Sequence, residues 1–171
     1  IKVVILYLIK YKAIYKIVIN YMKINYIKEI DDSKVYDVAE KTPISLLNKI
    51  STKYNNTVFL KREDLQPIFS FKCRGAYNKI SSLSSEQISK GIIAASAGNH
   101  AQGVALSASK LNINALIVMP TTTPSIKIES VKKFGVEILL YGDSFDEAYE
   151  HALKISKKDG RIFIHPFDDP L

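Results

Sequence analysis

At 171 residues, 47% hydrophobic and 24% charged, the chain can bury one sizeable core or at most two small ones, which excludes a disordered or fibrous protein. A formal net charge of +7 invites a nucleic-acid partner. However, residues 1–23 hold five lysines and no acid, and without them 19 basic residues face 17 acidic ones with no basic stripe interleaved with aromatics. The single cysteine, Cys73, excludes an intrachain disulfide and leaves no metal-ligand cluster, which fits a reducing compartment, the cytoplasm.

Residues 1–23, IKVVILYLIKYKAIYKIVINYMK, are a low-complexity mixture of Ile, Lys, Tyr, Val and Asn. Their longest uncharged run, Val3 to Ile9, is far short of the roughly 20 apolar residues that cross a bilayer. They lack a small-residue cleavage site and any arginine, so they read as an unassigned leader or a gene-model artefact upstream of a start at Met22. An amphipathic helix on a membrane surface is the competing reading. From Ile24 the pattern turns globular, with a helix to about Ile30, a connector at Val35–Val38 and a break at Thr42-Pro43. A short helix from Ser45 to Tyr54, a turn at Asn55-Asn56 and a β-prone run at Thr57–Leu60 follow.

A charged, proline-containing loop from Arg62 to Phe69 leads to a helix with Ser70 at its N-cap. Cys73, Ala76, Tyr77, Ile80 and Leu83 recur along it at helical spacing, which gives one buried face. Lys72 then falls in the first turn, where the positive end of the helix dipole and nearby Arg74 disfavour an ammonium. A lysine so placed is partly neutral and nucleophilic, able to form a Schiff base. Gly75, inside a helix at a cost of about 1 kcal/mol relative to alanine, suggests that something approaches closely there. On spacing alone an ordinary solvated lysine remains the commoner case, and Cys73, on the apolar face, reads as a small buried hydrophobe.

From Gly91 onward, apolar runs at Ile92–Ala95, Ala115–Met119, Val136–Tyr141 and Arg161–His165 alternate with helical patterns at His100–Leu111, Ser125–Phe134 and Ser144–Lys157. That alternation predicts an α/β fold, a parallel sheet with helices on both faces and sites at the carboxyl ends of the strands. Ser96-Ala97-Gly98-Asn99-His100 ends the first of these strands and opens a helix, where free backbone N–H groups attract an anion. An ordinary strand-to-helix turn also uses Gly98 and Asn99. His100, in a first turn, is expected to support the site through hydrogen bonds. Gly103 is expected to let its helix approach a neighbour. The Pro120–Pro124 loop reads as turn chemistry, and adjacent Asp168 and Asp169, between Pro166 and Pro170, read as a turn in preference to an acid/base pair.

Lys61-Arg-Glu-Asp-Leu-Gln-Pro67, Ser70-Phe-Lys-Cys-Arg-Gly-Ala-Tyr77, Ser96-Ala-Gly-Asn-His-Ala-Gln-Gly103 and His165-Pro-Phe-Asp-Asp-Pro170 resemble the biosynthetic threonine dehydratases. These are pyridoxal-phosphate enzymes of fold-type II, the tryptophan synthase β-like scaffold. The resemblance runs from about Ile24 to Leu171. It implies that Lys72 links covalently to pyridoxal 5'-phosphate and moves the substrate α-proton, that Phe71 packs on the cofactor and that Asn99 orients its ring. Ser96, Ala97, Gly98, Asn99 and His100 would bind the substrate carboxylate. The implied reaction is dehydration and deamination of L-threonine to 2-oxobutanoate and ammonia, the first step of isoleucine biosynthesis. The implied partners are a small amino-acid substrate and, in a longer parent, further copies of the chain, with neither nucleic acid nor membrane.

The resemblance also implies a division into residues 24–83, part of a large cofactor domain, and residues 84–171, a small α/β domain. The family's glycine-rich phosphate cradle would follow Leu171, so this chain is expected to be a fragment inactive alone. Serine dehydratase or racemase activity, or a non-catalytic truncated product, are the alternatives.

Overall fold

The structure, a computed structural model, describes residues 26–169. Expectations for the leader lie outside them. Contacts divide the described residues into two compact units, 26–33 with 41–63, and 34–40 with 64–169.

In the first unit, helix α1 (Tyr26–Asp32) precedes strand β1 (Ile44–Leu46), helix α2 (Asn48–Lys53) and strand β2 (Phe59–Lys61). The strands pair antiparallel, with Ile44 opposite Lys61 and Leu46 opposite Phe59. The helix expected from Ser45 therefore starts later. Pro43 bars a preceding helical turn, its carbonyl accepts the Arg62 N–H, and the chain leaves it extended into the ladder. Ile44, Leu46, Phe59 and Leu60 are exposed.

The second unit holds helices α3 (Lys72–Ser81) and α4 (Ser85–Ser89), then strand β3 (Ile92–Ala95), helix α5 (Asn99–Leu111), strand β4 (Ala115–Met119), helix α6 (Ser125–Lys132), strand β5 (Glu137–Leu140), helix α7 (Phe145–Asp159) and strand β6 (Ile162–Phe163). The four strands form one sheet in the order β5-β4-β3-β6, and every pairing is parallel. Ile92 lies opposite Ala115 and Ile162, and Ile93 opposite Leu116 and Phe163.

β3 and β4 are buried along their whole length, which is why they read as unbroken apolar runs. Period-two alternation sends Ile92, Ala94, Ala115, Ile117 and Met119 to one face. There they meet Ala76 and Ile80 of α3, Ala101, Val104, Ala105 and Ala108 of α5, and Val131 of α6. Ile93, Ala95, Leu116 and Val118 face the other way, onto Ala148 and Ala152 of α7. Each fully buried Ile or Val contributes about 1.5–3 kcal/mol relative to exposure.

The helix ends follow from local chemistry. Ser144 caps α7 reciprocally with Glu147, and Gly160 closes it at φ 73°, a left-handed conformation that costs glycine little. Ser84 and Gln87 make the same reciprocal cap on α4, a helix the hydrophobic periodicity did not mark. The chain runs outward from β3 through β4 to β5 and then returns, placing β6 on the other side of β3. The strand order therefore reverses between β3 and β6. This is a topological switch point, where open parallel sheets form clefts at their carboxyl ends.

Candidate active site

A cleft of about 390 Å³ opens at that switch point. Lys72 and Phe71 line it from α3, His100 from α5, and Ile164 to Phe167 from the end of β6. Within α3, Phe71 occupies the cap position, while the Ser70 hydroxyl accepts the Lys72 N–H at 3.3 Å, so the expected serine supports the first turn. Cys73 is fully buried against Ala39 and Ile68, as a small hydrophobe should be. Gly75 lines the cleft, and a Cβ there would meet nothing within 4 Å.

Lys72 is half-buried, and its Nζ donates to the Pro166 carbonyl at 2.6 Å. It lies 5.6 Å from the centroid of the exposed Phe71 ring, a cation-π distance. Among the described residues no carboxylate lies within ion-pair distance of it. Two turns further along the same face, Lys79 pairs with Asp169 at 3.0 Å, so α3 is tied twice to the segment that follows β6.

His100 is buried opposite, and its Nε2 lies 2.9 Å from the Ile164 carbonyl. Burial holds its imidazole below the ordinary histidine value, with the Ile164 hydrogen bond opposing the effect and the positive charge of Lys72 adding to it. The ring is therefore neutral near pH 7 and donates its Nε2–H to that carbonyl. The site accordingly presents one amine and one uncharged imidazole across a cleft, and the amine is the group able to add to a carbonyl carbon.

Lys72, Phe71 and His100 thus share one cleft. Asn99 opens α5 beside His100 and is exposed, and Ser96, Ala97 and Gly98 are half-buried in the turn before it; none of the four lines the cleft itself. The Ser96 hydroxyl accepts the Gly98 N–H at 3.2 Å, which shapes that turn. Asp169 makes its ion pair, and Asp168 sits in a turn, consistent with the rejection of a paired-carboxylate site. Sequence reasoning missed the carbonyls of Ile164 and Pro166 and the imidazole of His165. Backbone oxygens leave no mark in a sequence, although a histidine two residues beyond the last strand was a usable signal.

The chain is similar to known proteins over most of its length. It is 56% identical over 145 residues to threonine dehydratase 2 biosynthetic, chloroplastic, of Solanum lycopersicum, covering 85% of this chain and 24% of that protein. It is also 56% identical to the biosynthetic L-threonine dehydratase of Pasteurella multocida, covering 85% and 28%. The chain therefore spans about a quarter of the length of the curated relatives it matches. Among solved structures, the processed form of threonine deaminase isoform 2 from Solanum lycopersicum superposes with a TM-score of 0.82 at 56% identity, covering 85% of this chain and 40% of that one. Maize serine racemase superposes at 0.75 and 34% identity, covering 80% and 41%. No helix among the described residues is long and apolar enough to cross a membrane. The model of the pyridoxal-phosphate dependent enzymes matches residues 35–171, and with the lysine cleft at the switch point of a parallel sheet, the chain belongs to that family.

Proposed function

We propose that this chain supplies the lysine and asparagine-loop part of an L-threonine ammonia-lyase, which converts L-threonine to 2-oxobutanoate and ammonia as the first step of isoleucine biosynthesis. The observation that carries this reading is the Lys72 amine in the switch-point cleft, free of any carboxylate partner among the described residues and facing a neutral His100. The donor set fits pyridoxal phosphate: an amine for its aldehyde, the Phe71 ring for its planar face, and the start of α5 for an anion. When bound, that cofactor withdraws electrons from the substrate α-carbon.

Lys72 would hold the cofactor covalently and, as the free amine, would take the substrate α-proton at Nζ. Asn99 would orient the cofactor ring, and Ser96 with the backbone of Ala97 to His100 would receive the substrate carboxylate. The Pro166 carbonyl holds Lys72 within the cleft. The proposed setting is the cytoplasm, in a homo-oligomeric parent. Replacing Lys72 with alanine in a full-length parent should abolish turnover while leaving the fold intact.

Serine dehydratase or racemase activity is a second reading, supported by the 34% identity to maize serine racemase. Turnover of L-threonine against L-serine by the full-length protein separates the two, and a preference for serine would overturn the first.

A further inference from the structure

We propose that His165 is a positioning residue for Lys72: its Nδ1 folds the turn that presents the Pro166 carbonyl to the Lys72 ammonium. The assignment rests on Lys72 being the working amine of the cleft.

The backbone N–H of Asp168 donates to His165 Nδ1 at 2.8 Å, and that of Phe167 at 3.3 Å. Two consecutive amides converge on one lone pair, so Nδ1 is unprotonated and the neutral ring carries its proton on Nε2. Between the histidine and those two amides lies Pro166, which has no N–H to offer and a fixed φ, leaving its carbonyl as the group the turn can aim. That carbonyl accepts Lys72 Nζ at 2.6 Å. A charge-assisted bond of this kind is about twice as strong as a neutral one.

Neighbouring residues fix the ring that does the aiming. His165 stands edge-on to Tyr149 at 6.2 Å between ring centroids and to Phe167 at 4.8 Å. One residue earlier, the Ile164 carbonyl takes His100 at 2.9 Å, so alternate carbonyls after β6 hold the two walls of the cleft. Stacking and hydrogen bonding are separable functions of this side chain, and only the second sets the direction of the Pro166 carbonyl.

Two substitutions divide them. His165→Phe keeps an aromatic ring against Tyr149 and Phe167 but has no acceptor, whereas His165→Asn gives up the ring and supplies a side-chain oxygen that can accept N–H groups two and three residues on. The readout is reductive methylation of the 171-residue chain with formaldehyde and cyanoborohydride, quantified at Lys72 by peptide mass spectrometry. Exposed Lys110 and Lys127 serve as internal references. Amide exchange at Phe167 and Asp168 is followed alongside, and protection of Ile92–Ala95 reports the fold.

In the wild type, Lys72 should be methylated more slowly than the references. In His165→Phe its rate should rise about tenfold, the scale set by loss of a hydrogen bond to a charged group, and the two amides should exchange faster. His165→Asn should stay near wild type on both counts. Should His165→Phe lose protection at Ile92–Ala95, His165→Leu takes its place in the comparison. Wild-type rates in the acceptor-less variant, or a His165→Asn variant as fast as His165→Phe, would overturn the proposal. Because formaldehyde needs no cofactor, this result is independent of whether pyridoxal phosphate binds.

Discussion

Gly103 of α5 lies against the backbone of Lys72: a Cβ at position 103 would stand 2.8 Å from the Lys72 carbonyl oxygen and 3.0 Å from its carbon. The atoms it would strike are main chain, which cannot swing aside as a flexible side chain can. Glycine at 103 therefore sets how closely α5, with His100 near its start, approaches the start of α3.

Gly103→Ala should consequently separate the two helices. The expected loss is about 1–3 kcal/mol in unfolding free energy, the usual cost of overpacking. Helix propensity alone predicts the opposite sign, since alanine is favoured over glycine inside a helix by about 1 kcal/mol. Urea denaturation of the two chains decides between these, and a stabilised alanine variant would show that the helices adjust without strain.

Acid should destabilise the chain in part through His100. Its folded pKa is lowered mainly by burial, whereas the unfolded histidine titrates near 6.5, so between those values the unfolded state binds the extra proton. Stability from this group is full above about pH 6.5 and falls as pH drops through the folded pKa. His100→Gln, which keeps an N–H donor for the Ile164 carbonyl but cannot titrate, should have a flatter stability profile between about pH 7 and pH 5. Parallel profiles for the two proteins would refute the assignment.

Tyr77 tests the other end of the pH scale. Its hydroxyl donates to Asp37 at 2.8 Å, and burial, together with the hydrogen bond and the negative charge of Asp37, pushes its pKa up to about 12. The folded state thus keeps its proton above the unfolded value of 10, so this contribution is present below pH 10 and lost as pH rises toward 12. Tyr77→Phe should cost about 1 kcal/mol at pH 7, a typical net hydrogen bond, and less at alkaline pH. Thermal unfolding at pH 7 and pH 11 measures both.

The central sheet was legible because β3 and β4 are buried on both faces and so read as continuous apolar runs of the correct length. The flanking strands came out shorter than read, Glu137–Leu140 within Val136–Tyr141 and Ile162–Phe163 within Arg161–His165, because each has one neighbour and frays at its ends. β1 escaped notice because three residues are too few to show a period. The resemblance implies a boundary at Leu83, and in this chain Ala76, Ile80 and Leu83 pack in the layer beneath the sheet. At the site, motif and helix position single out Lys72, Phe71 and His100, and these three line one cleft. What holds Lys72 was not readable, because a proline carbonyl 94 residues away has no sequence signature.

The central claim is that the cleft around Lys72 recognises pyridoxal phosphate, and a ratio of two labels tests it most directly. The 171-residue chain is treated in parallel with pyridoxal phosphate and borohydride or with formaldehyde and cyanoborohydride, and each product is quantified lysine by lysine. Dividing one label by the other removes the intrinsic reactivity of each amine and leaves recognition of the cofactor. The account predicts a ratio at Lys72 at least about tenfold above those at Lys110 and Lys127, equivalent to about 1.4 kcal/mol of specific binding. Equal ratios at all three lysines would contradict it.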